Sequence, residues 1–453
     1  MLKSTWADDA FFYHIYPLGL CGAPEENDLS KPVNHRIELL YPWLDHMQRL
    51  GVNALYLGPV FQSTRHGYDT TDYYRVDRRL GNNDSFAKFA DALHSRGIKL
   101  VLDAVFNHVG RDFWAFKDVL QYGEGSAYKD WFHNLRFGEQ SPLGDPFNYE
   151  GWNGHYGLVK LNLSHPDVRV HLFDAVRMWM DQFGIDGLRL DAADCLDFGF
   201  MRELHYITRQ KRSDFWLMGE VVHGDYRQWA NPETLDSVTN YEAYKGLYSS
   251  LVDKNYFEMA YSLNREFGTE GLYRDLALYN FVDNHDVDRV ATKLKNSDWL
   301  YPLHLLLFTM PGIPSIYYGS EWGLEGEKGP WSDRNLRPTI DLGLISQHSP
   351  QPELPDVIRK LAEVRRKLPA LLSGDYHELL VAHQQLAFSR HYKGQTVIVA
   401  LNSTSETASI TLSLDAENGT LRDQLDQKVS LSIANHQVEI PLSPTWGRIL
   451  LLE

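Results

Sequence analysis

The sequence predicts an α/β chain built as a closed (β/α)8 (TIM) barrel, with an irregular excursion after the third strand and a C-terminal antiparallel β domain. Three observations predict it. Eight short β-branched or aromatic runs alternate with longer amphipathic stretches; one segment between them is aromatic and Gly-rich without a sustained period; and beyond about residue 371 the pattern changes to strict alternation. Alternating β and α units imply parallel strands, and eight of them close economically into a barrel.

The eight runs, in order, are Phe12 to Tyr16, Ala54 to Leu57, Leu100 to Asp103, Gly187 to Leu190, Trp216 to Met218, Ser237 to Asn240, Tyr279 to Val282 and Ser315 to Tyr318. Helical patterning lies between them at Ile37 to Leu50, Ser85 to Arg96, Val168 to Phe183 and Phe200 to Arg212. Pro311-Gly-Ile-Pro314 stops a helix before the last strand. The divisions that follow are a barrel over 1–108 and 161–370, an excursion over 109–160 and a C-terminal β-sandwich over 371–453. Barrels place their active sites at the C-terminal ends of the strands, so the excursion is expected to overhang that mouth.

Composition narrows the function. The 453 residues carry a formal net charge of −16 with no Lys/Arg cluster, which argues against a nucleic-acid groove and suits a neutral substrate. Twelve Trp and 25 Tyr give a 13% aromatic content, enough for a large aromatic core and for rings on which sugar faces stack. Cys21 and Cys195 are too few for a disulfide scaffold and lack metal-ligand spacing; with no leader pattern at Met1 to Asp9, they predict free thiols and a cytoplasmic protein. No apolar run is long enough to span a bilayer. Oligomeric state is not legible.

The chemistry concentrates at strand tips: Asp103-Ala-Val-Phe-Asn107-His108, Gly187-Leu-Arg189-Leu-Asp191-Ala-Ala-Asp194, Leu217-Met-Gly-Glu220 and Phe281-Val-Asp-Asn-His285-Asp286. Retaining glycoside hydrolysis needs a carboxylate nucleophile and a carboxylic acid about 5 to 5.5 Å apart. Asp191 and Glu220 end adjacent strands and can supply that pair. Arg189 shares a face with Asp191, two residues on, and is expected to keep it ionised while Glu220 is held protonated. Asp286, His285 and His108 come from other tips and can converge. Asp103 is read equally well as a group with a part in catalysis and as a buried ion-pair partner of Arg189.

These ordered segments closely resemble the conserved segments of the α-amylase family, the retaining (β/α)8 enzymes that act on α-glucans. Leu158-Val-Lys-Leu-Asn162 and Gly312-Ile-Pro-Ser-Ile-Tyr-Tyr-Gly319 extend the resemblance over essentially the whole chain. It implies Asp191 as nucleophile, Glu220 as general acid/base and Asp286 as the carboxylate that binds and distorts the reacting sugar. His108, His285 and Arg189 then contact that sugar or the nucleophile. His66-Gly-Tyr68 resembles the stretch that supplies a stacking tyrosine, with His66 as hydroxyl partner, and Asp333 with Arg337 resembles a pair that grips the sugar one subsite further from the cut.

The resemblance further implies a maltodextrin- or cyclodextrin-degrading hydrolase, with a 4-α-glucanotransferase, an α-1,6-active hydrolase and a catalytically silent binding barrel as alternatives. Asp194-Cys195 matches neither the Lys-His nor the Asn-Glu that commonly follow the nucleophile, and the chain starts too near the first strand for an N-terminal β domain. No organic cofactor is implied. Calcium is a candidate ion, with Asn107 as a ligand and Asp145, Asn148 and Asn162 nearby; no loop has calcium-site spacing.

Overall fold

In the computed structural model, which describes residues 6–330 and 332–453, eight parallel strands form the barrel: Phe12–Ile15, Ala54–Leu57, Lys99–Ala104, Gly187–Leu190, Trp216–Gly219, Ser237–Val238, Tyr279–Phe281 and Ile313–Tyr317. Met1 to Thr5, most of the stretch read for a leader, lie outside the described residues. Consecutive barrel strands pair in sequence order, the eighth pairs with the first, and a parallel bridge between Thr239 and Tyr279 joins the sixth to the seventh. Each run read as a strand forms one, shifted by a residue or two at its ends.

Successive strand residues face opposite sides, so every second residue enters the barrel. Phe12, Ala54, Tyr56, Val101, Trp216, Met218, Tyr279, Phe281 and Ile313 pack together there as a filled interior, with Ala7 and Ala10 in the same cluster. Continuing the same parity toward the C-terminal ends brings Asp103, Arg189, Asp191 and Glu220 to the inward face. Arg189 pairs in register with Asp103, which sets the two at one height. The outward faces pack under the surrounding helices in the large cluster that includes Leu102, Leu188, Leu190 and Leu217.

Helix starts follow local chemistry. Asn82 and Ser85 form a capping box for Asn83–His94, and Pro166 opens Pro166–Gln182 at a position where its missing N–H costs nothing. The helical pattern read from Ile37 divides: Arg36–Leu40 is a 3-10 turn and the α-helix runs over Tyr41–Leu50. Pro42 is the reason, since a first-turn proline fits a helix start and not its interior.

The excursion is more ordered than its sequence suggests. His108–Gly110 pairs antiparallel with His155–Lys160, which also pairs with Gly151–Trp152, so His108 already belongs to the excursion's sheet. Trp114–Tyr122 is a helix that buries Ala115, Phe116 and Val119. From Asp375 onward the chain forms a six-stranded antiparallel sheet and the two-stranded Ala408–Ser413/Gln437–Leu442 sheet. Ile398, Ala400 and Leu450 of the first join Ile410, Leu412, Val438 and Ile440 of the second in one buried cluster, a two-layer sandwich. Arg390 ties this sandwich to the barrel by donating to Thr309 O at 2.7 Å and to Gly374 O. Among the described residues, no helix is long and apolar enough to cross a membrane.

Candidate active site

Arg189 is the hub of the barrel mouth. Buried on the fourth strand, it places Nη1 2.8 Å from both Asp103 Oδ1 and Asp191 Oδ1, and Nη2 2.8 Å from Glu220 Oε2. The expected pairings of Arg189 with Asp191 and with Asp103 both form, and Glu220 joins them: one guanidinium is shared by three carboxylates from three adjacent strands. A fork has two edges, and neighbouring strand tips present acids to both. Carboxylates held by adjacent nitrogens of one fork are near neighbours. That suits the retaining separation of about 5 to 5.5 Å better than the wider gap, about 6.5 to 9.5 Å, that admits a water.

Sharing one cation changes the protonation as well. Burial, then the nearby charges of Glu220, Asp103 and Asp286, push Asp191 well above its ordinary range against the pull of Arg189. The expected simple depression of Asp191 does not hold, because burial and then the neighbouring carboxylates outweigh the pull of Arg189.

Local backbone seats the pair. Directly after Asp191 the strand breaks at Ala192, which takes a left-handed φ of 44°, and its N–H donates to Glu220 Oε2 at 3.1 Å. Ala193 N–H then donates to Glu220 O at 3.0 Å. This turn can approach because Gly219 carries no side chain: a Cβ there would sit 2.7 Å from Ala193 Cβ and 2.5 Å from Leu235 Cδ1. Gly219→Ala is expected to cost about 1–3 kcal/mol by overpacking and to lower kcat by displacing the turn that follows Asp191, measured by urea denaturation and steady-state kinetics.

Across the mouth, Asp286 accepts from Arg337 Nη2 at 2.8 Å and lies 3.0 Å from His285 Nε2. Against the upward push of burial, His285 and then Arg337 hold its carboxyl well below the usual range. Arg337 also donates to Asp333 at 3.0 Å and to His285 O at 3.0 Å. Arg337 thus links Asp333 to Asp286, as the loop after the eighth strand folds back over the seventh.

Tyr68 is buried, with its ring parallel to His285 at 5.5 Å and 7° and its hydroxyl bonded to His285 Nε2 and, at 3.0 Å, to Asp103 Oδ2. Asp103 accepts from Tyr56 OH too, at 2.7 Å. Both readings of Asp103 resolve into one: it is a buried ion-pair partner that also orients the tyrosine. His108 Nε2 is 4.0 Å from Asp191 Oδ2 and has no protein hydrogen bond, and burial, then His66, pull its pKa down to about 3, so it is a neutral imidazole. His66 sits at the rim with Nδ1 3.8 Å from Asp69, and burial lowers its pKa.

Sequence reasoning missed Tyr16, Tyr56, Tyr241 and Asn284. Tyr16 stacks on His285 at 6.0 Å and lies under the Arg337 guanidinium at 4.6 Å. Tyr241 OH reaches Glu220 Oε1 at 3.5 Å and accepts from Asn284, whose Oδ1 caps the Asp286 N–H at 2.8 Å. All four lie at or just beyond strand ends, a signal that could have found them.

Of the residues considered for calcium, Asp145 already has its carboxylate taken by a cation. Arg111 occupies both oxygens of Asp145 at 2.7 Å and holds it below the usual carboxylate range, and Ser141 donates to the same group. Asn107 Nδ2 meets His108 Nδ1 at 3.2 Å, Asn148 Oδ1 caps Tyr149 N–H, and Asn162 bonds Asp130 O and Ser164 N–H. Among the described residues no three His, Cys, Asp or Glu side chains gather as a metal site.

The family model for the α-amylase catalytic domain matches residues 42–350, and that for the α-amylase C-terminal domain matches 374–440. A cyclomaltodextrinase of Bacillus sp is 31% identical over 422 residues, covering 88% of this chain and 73% of that protein. Neopullulanase 2 of Thermoactinomyces vulgaris is 32% identical, covering 98% and 78%. A solved cyclomaltodextrinase superposes with a TM-score of 0.88 at 29% identity, over 100% of this chain and 79% of its own.

Proposed function

The chain belongs to the α-amylase family of glycoside hydrolases, and from that premise we propose that it is a retaining hydrolase of α-1,4 bonds in maltooligosaccharides or cyclic dextrins. The observation that carries this reading is the single guanidinium of Arg189 between Asp191 and Glu220, which puts a nucleophile and a proton donor side by side. The relatives' names, cyclomaltodextrinase and neopullulanase, support the substrate class.

In this reading an Asp191 oxygen attacks the anomeric carbon while the glycosidic C–O bond breaks, and Glu220 passes a proton to the departing oxygen. Glu220 then takes a proton from water, whose oxygen displaces Asp191 and regenerates both groups. Asp286, kept anionic by His285 and Arg337, binds hydroxyls of the reacting sugar and favours its positive transition state. Tyr68 and Tyr16 give that sugar an aromatic wall, and neutral His108 offers it a donor.

A time course on maltoheptaose and on β-cyclodextrin, with products resolved by chain length, tests the reading. Shorter products from either substrate support hydrolysis; early products longer than the substrate identify a glucanotransferase, and silence on both overturns the assignment. The two free thiols, Cys21 and Cys195, support a cytoplasmic location.

Catalysis and folding are expected to need no calcium, since Arg111 supplies the positive charge on Asp145. Dialysis against EDTA should leave activity and Tm unchanged, and a loss restored by added calcium overturns this. Arg111→Ala should instead lower stability by about 1–3 kcal/mol by leaving Asp145 without its cation.

A further inference from the structure

The tyrosine wall stands on a turn that its own strands do not fix. His66 and Tyr68 lie between the short strands Phe61–Ser63 and Thr70–Val76, after the second barrel strand, and the ladder between those two strands shifts register on both sides of Gln62. Donors from outside the ladder hold the turn instead. Four successive carbonyls are taken: Ser63 O accepts from Asn27 Nδ2 at 2.7 Å, Thr64 O from Asn27 N–H at 2.9 Å, Arg65 O from Arg79 Nη1 at 2.6 Å and His66 O from Tyr16 OH at 2.6 Å.

Arg79 is the centre of this clamp. It is buried, and its Nε and Nη2 form a two-pronged pair with Asp77, at 2.9 Å from Oδ1 and 2.8 Å from Oδ2. Nη2 also donates to Ser63 Oγ at 2.9 Å, while Nη1 reaches Pro24 O at 2.9 Å and Glu25 O at 3.0 Å besides Arg65 O. Asp77, itself buried, accepts in turn from Ser63 Oγ at 3.0 Å, Ser63 N–H at 3.2 Å and Asn27 Nδ2 at 3.3 Å. One ion pair thus ties the loop after the first strand to both sides of the turn that carries Tyr68.

The chemistry of this centre calls for a guanidinium. A carboxylate on one edge and three carbonyls on the other need donors spread in a plane; a lysine ammonium would keep the charge beside Asp77 and lose the fork that spans both edges. All side-chain hydrogen bonds of Arg79 go to Asp77, Ser63 and these carbonyls, so it acts on the reaction through the turn. The leverage is short. Tyr68 stands three residues beyond Arg65, and its hydroxyl must meet both Asp103 Oδ2, at 3.0 Å, and His285 Nε2. A misplacement of about 1 Å around a reacting centre costs up to about 10²-fold in rate.

We propose that Arg79 is a positioning residue for the reaction: by holding Arg65 O and Asp77 together it fixes the turn that sets Tyr68 against Asp103 and His285. This rests on the reading of Tyr68 as the wall at the reacting sugar.

A double-mutant cycle with Tyr68 tests it. On maltoheptaose, Arg79→Lys should lower kcat/KM about tenfold when Tyr68 is present and less than about twofold in the Tyr68→Ala background, because the clamp then has nothing left to place. Asn27→Ala, which removes a side-chain donor from the same turn at a partly exposed site, should show the same dependence on Tyr68 with a smaller loss. A structural role alone would give equal factors in both backgrounds. Equal factors, or an undiminished rate in Arg79→Lys, overturn the clamp and leave the hydrolase assignment standing. Failure of the unsubstituted protein to cleave both maltoheptaose and β-cyclodextrin overturns both.

Discussion

Asp191→Asn is expected to lower kcat/KM on maltooligosaccharides roughly 10⁵-fold, because an amide of the same shape cannot form the covalent bond on which both chemical steps depend. The same variant is expected to be at least as stable as the parent at neutral pH. In the folded protein, burial and then neighbouring negative charge raise the Asp191 pKa above its unfolded value. A carboxyl raised in this way opposes folding when ionised. That cost is largest above the folded pKa and vanishes below the unfolded one, near ~4. The amide removes it, so its stability gain should be present at pH 7 and disappear as pH falls through about 4. Paired thermal melts across this range, with kinetics at neutral pH, check both parts. A variant that loses activity and is also destabilised at pH 7 would show that Asp191 holds Arg189 more than it crowds the other acids.

Glu220→Gln should separate the two chemical steps. On maltoheptaose the rate is expected to drop about 10³-fold, within the usual range for removing a general acid. On α-maltosyl fluoride the first step should survive largely intact, since fluoride departs without a proton. Hydrolysis of the resulting intermediate should then be slow, and azide, an anionic nucleophile that needs no base, should accelerate its breakdown. The parent should show a bell-shaped pH profile whose basic limb reports loss of the proton that the general acid must donate. That limb should vanish for Glu220→Gln with the fluoride and azide. Equal losses on both substrates would place the general acid elsewhere among the strand-tip groups.

Much of this architecture was legible before any coordinates, for a reason rooted in backbone geometry. A strand repeats every two residues and a helix every 3.6, so the alternation of eight short runs with amphipathic stretches specified both element types and their order. The same two-residue period put Arg189 and Asp191 on one face, and barrel geometry put strand tips at the mouth. The C-terminal sandwich was readable from alternation such as Gln437 to Leu442, whose even-numbered residues are the buried ones. Where local patterning carried no period, the reading stopped: the helix Trp114–Tyr122 and the small sheet at His108–Gly110 form because excursion aromatics pack on each other, a contact pattern without sequence periodicity.

The sequence by itself determined the fold class and the order of the elements and put the acids at strand ends, because these follow from periodicity and from residue types. Only the tertiary structure decided how charge is distributed among them. Arg189 is divided between three carboxylates, Arg337 reaches back to Asp286, and Arg111 sits on Asp145 where calcium was a candidate. Each of these pairs residues from separate segments at distances of a few ångströms. Coulombic and packing energies depend on those separations, which side-chain spacing along the chain does not encode.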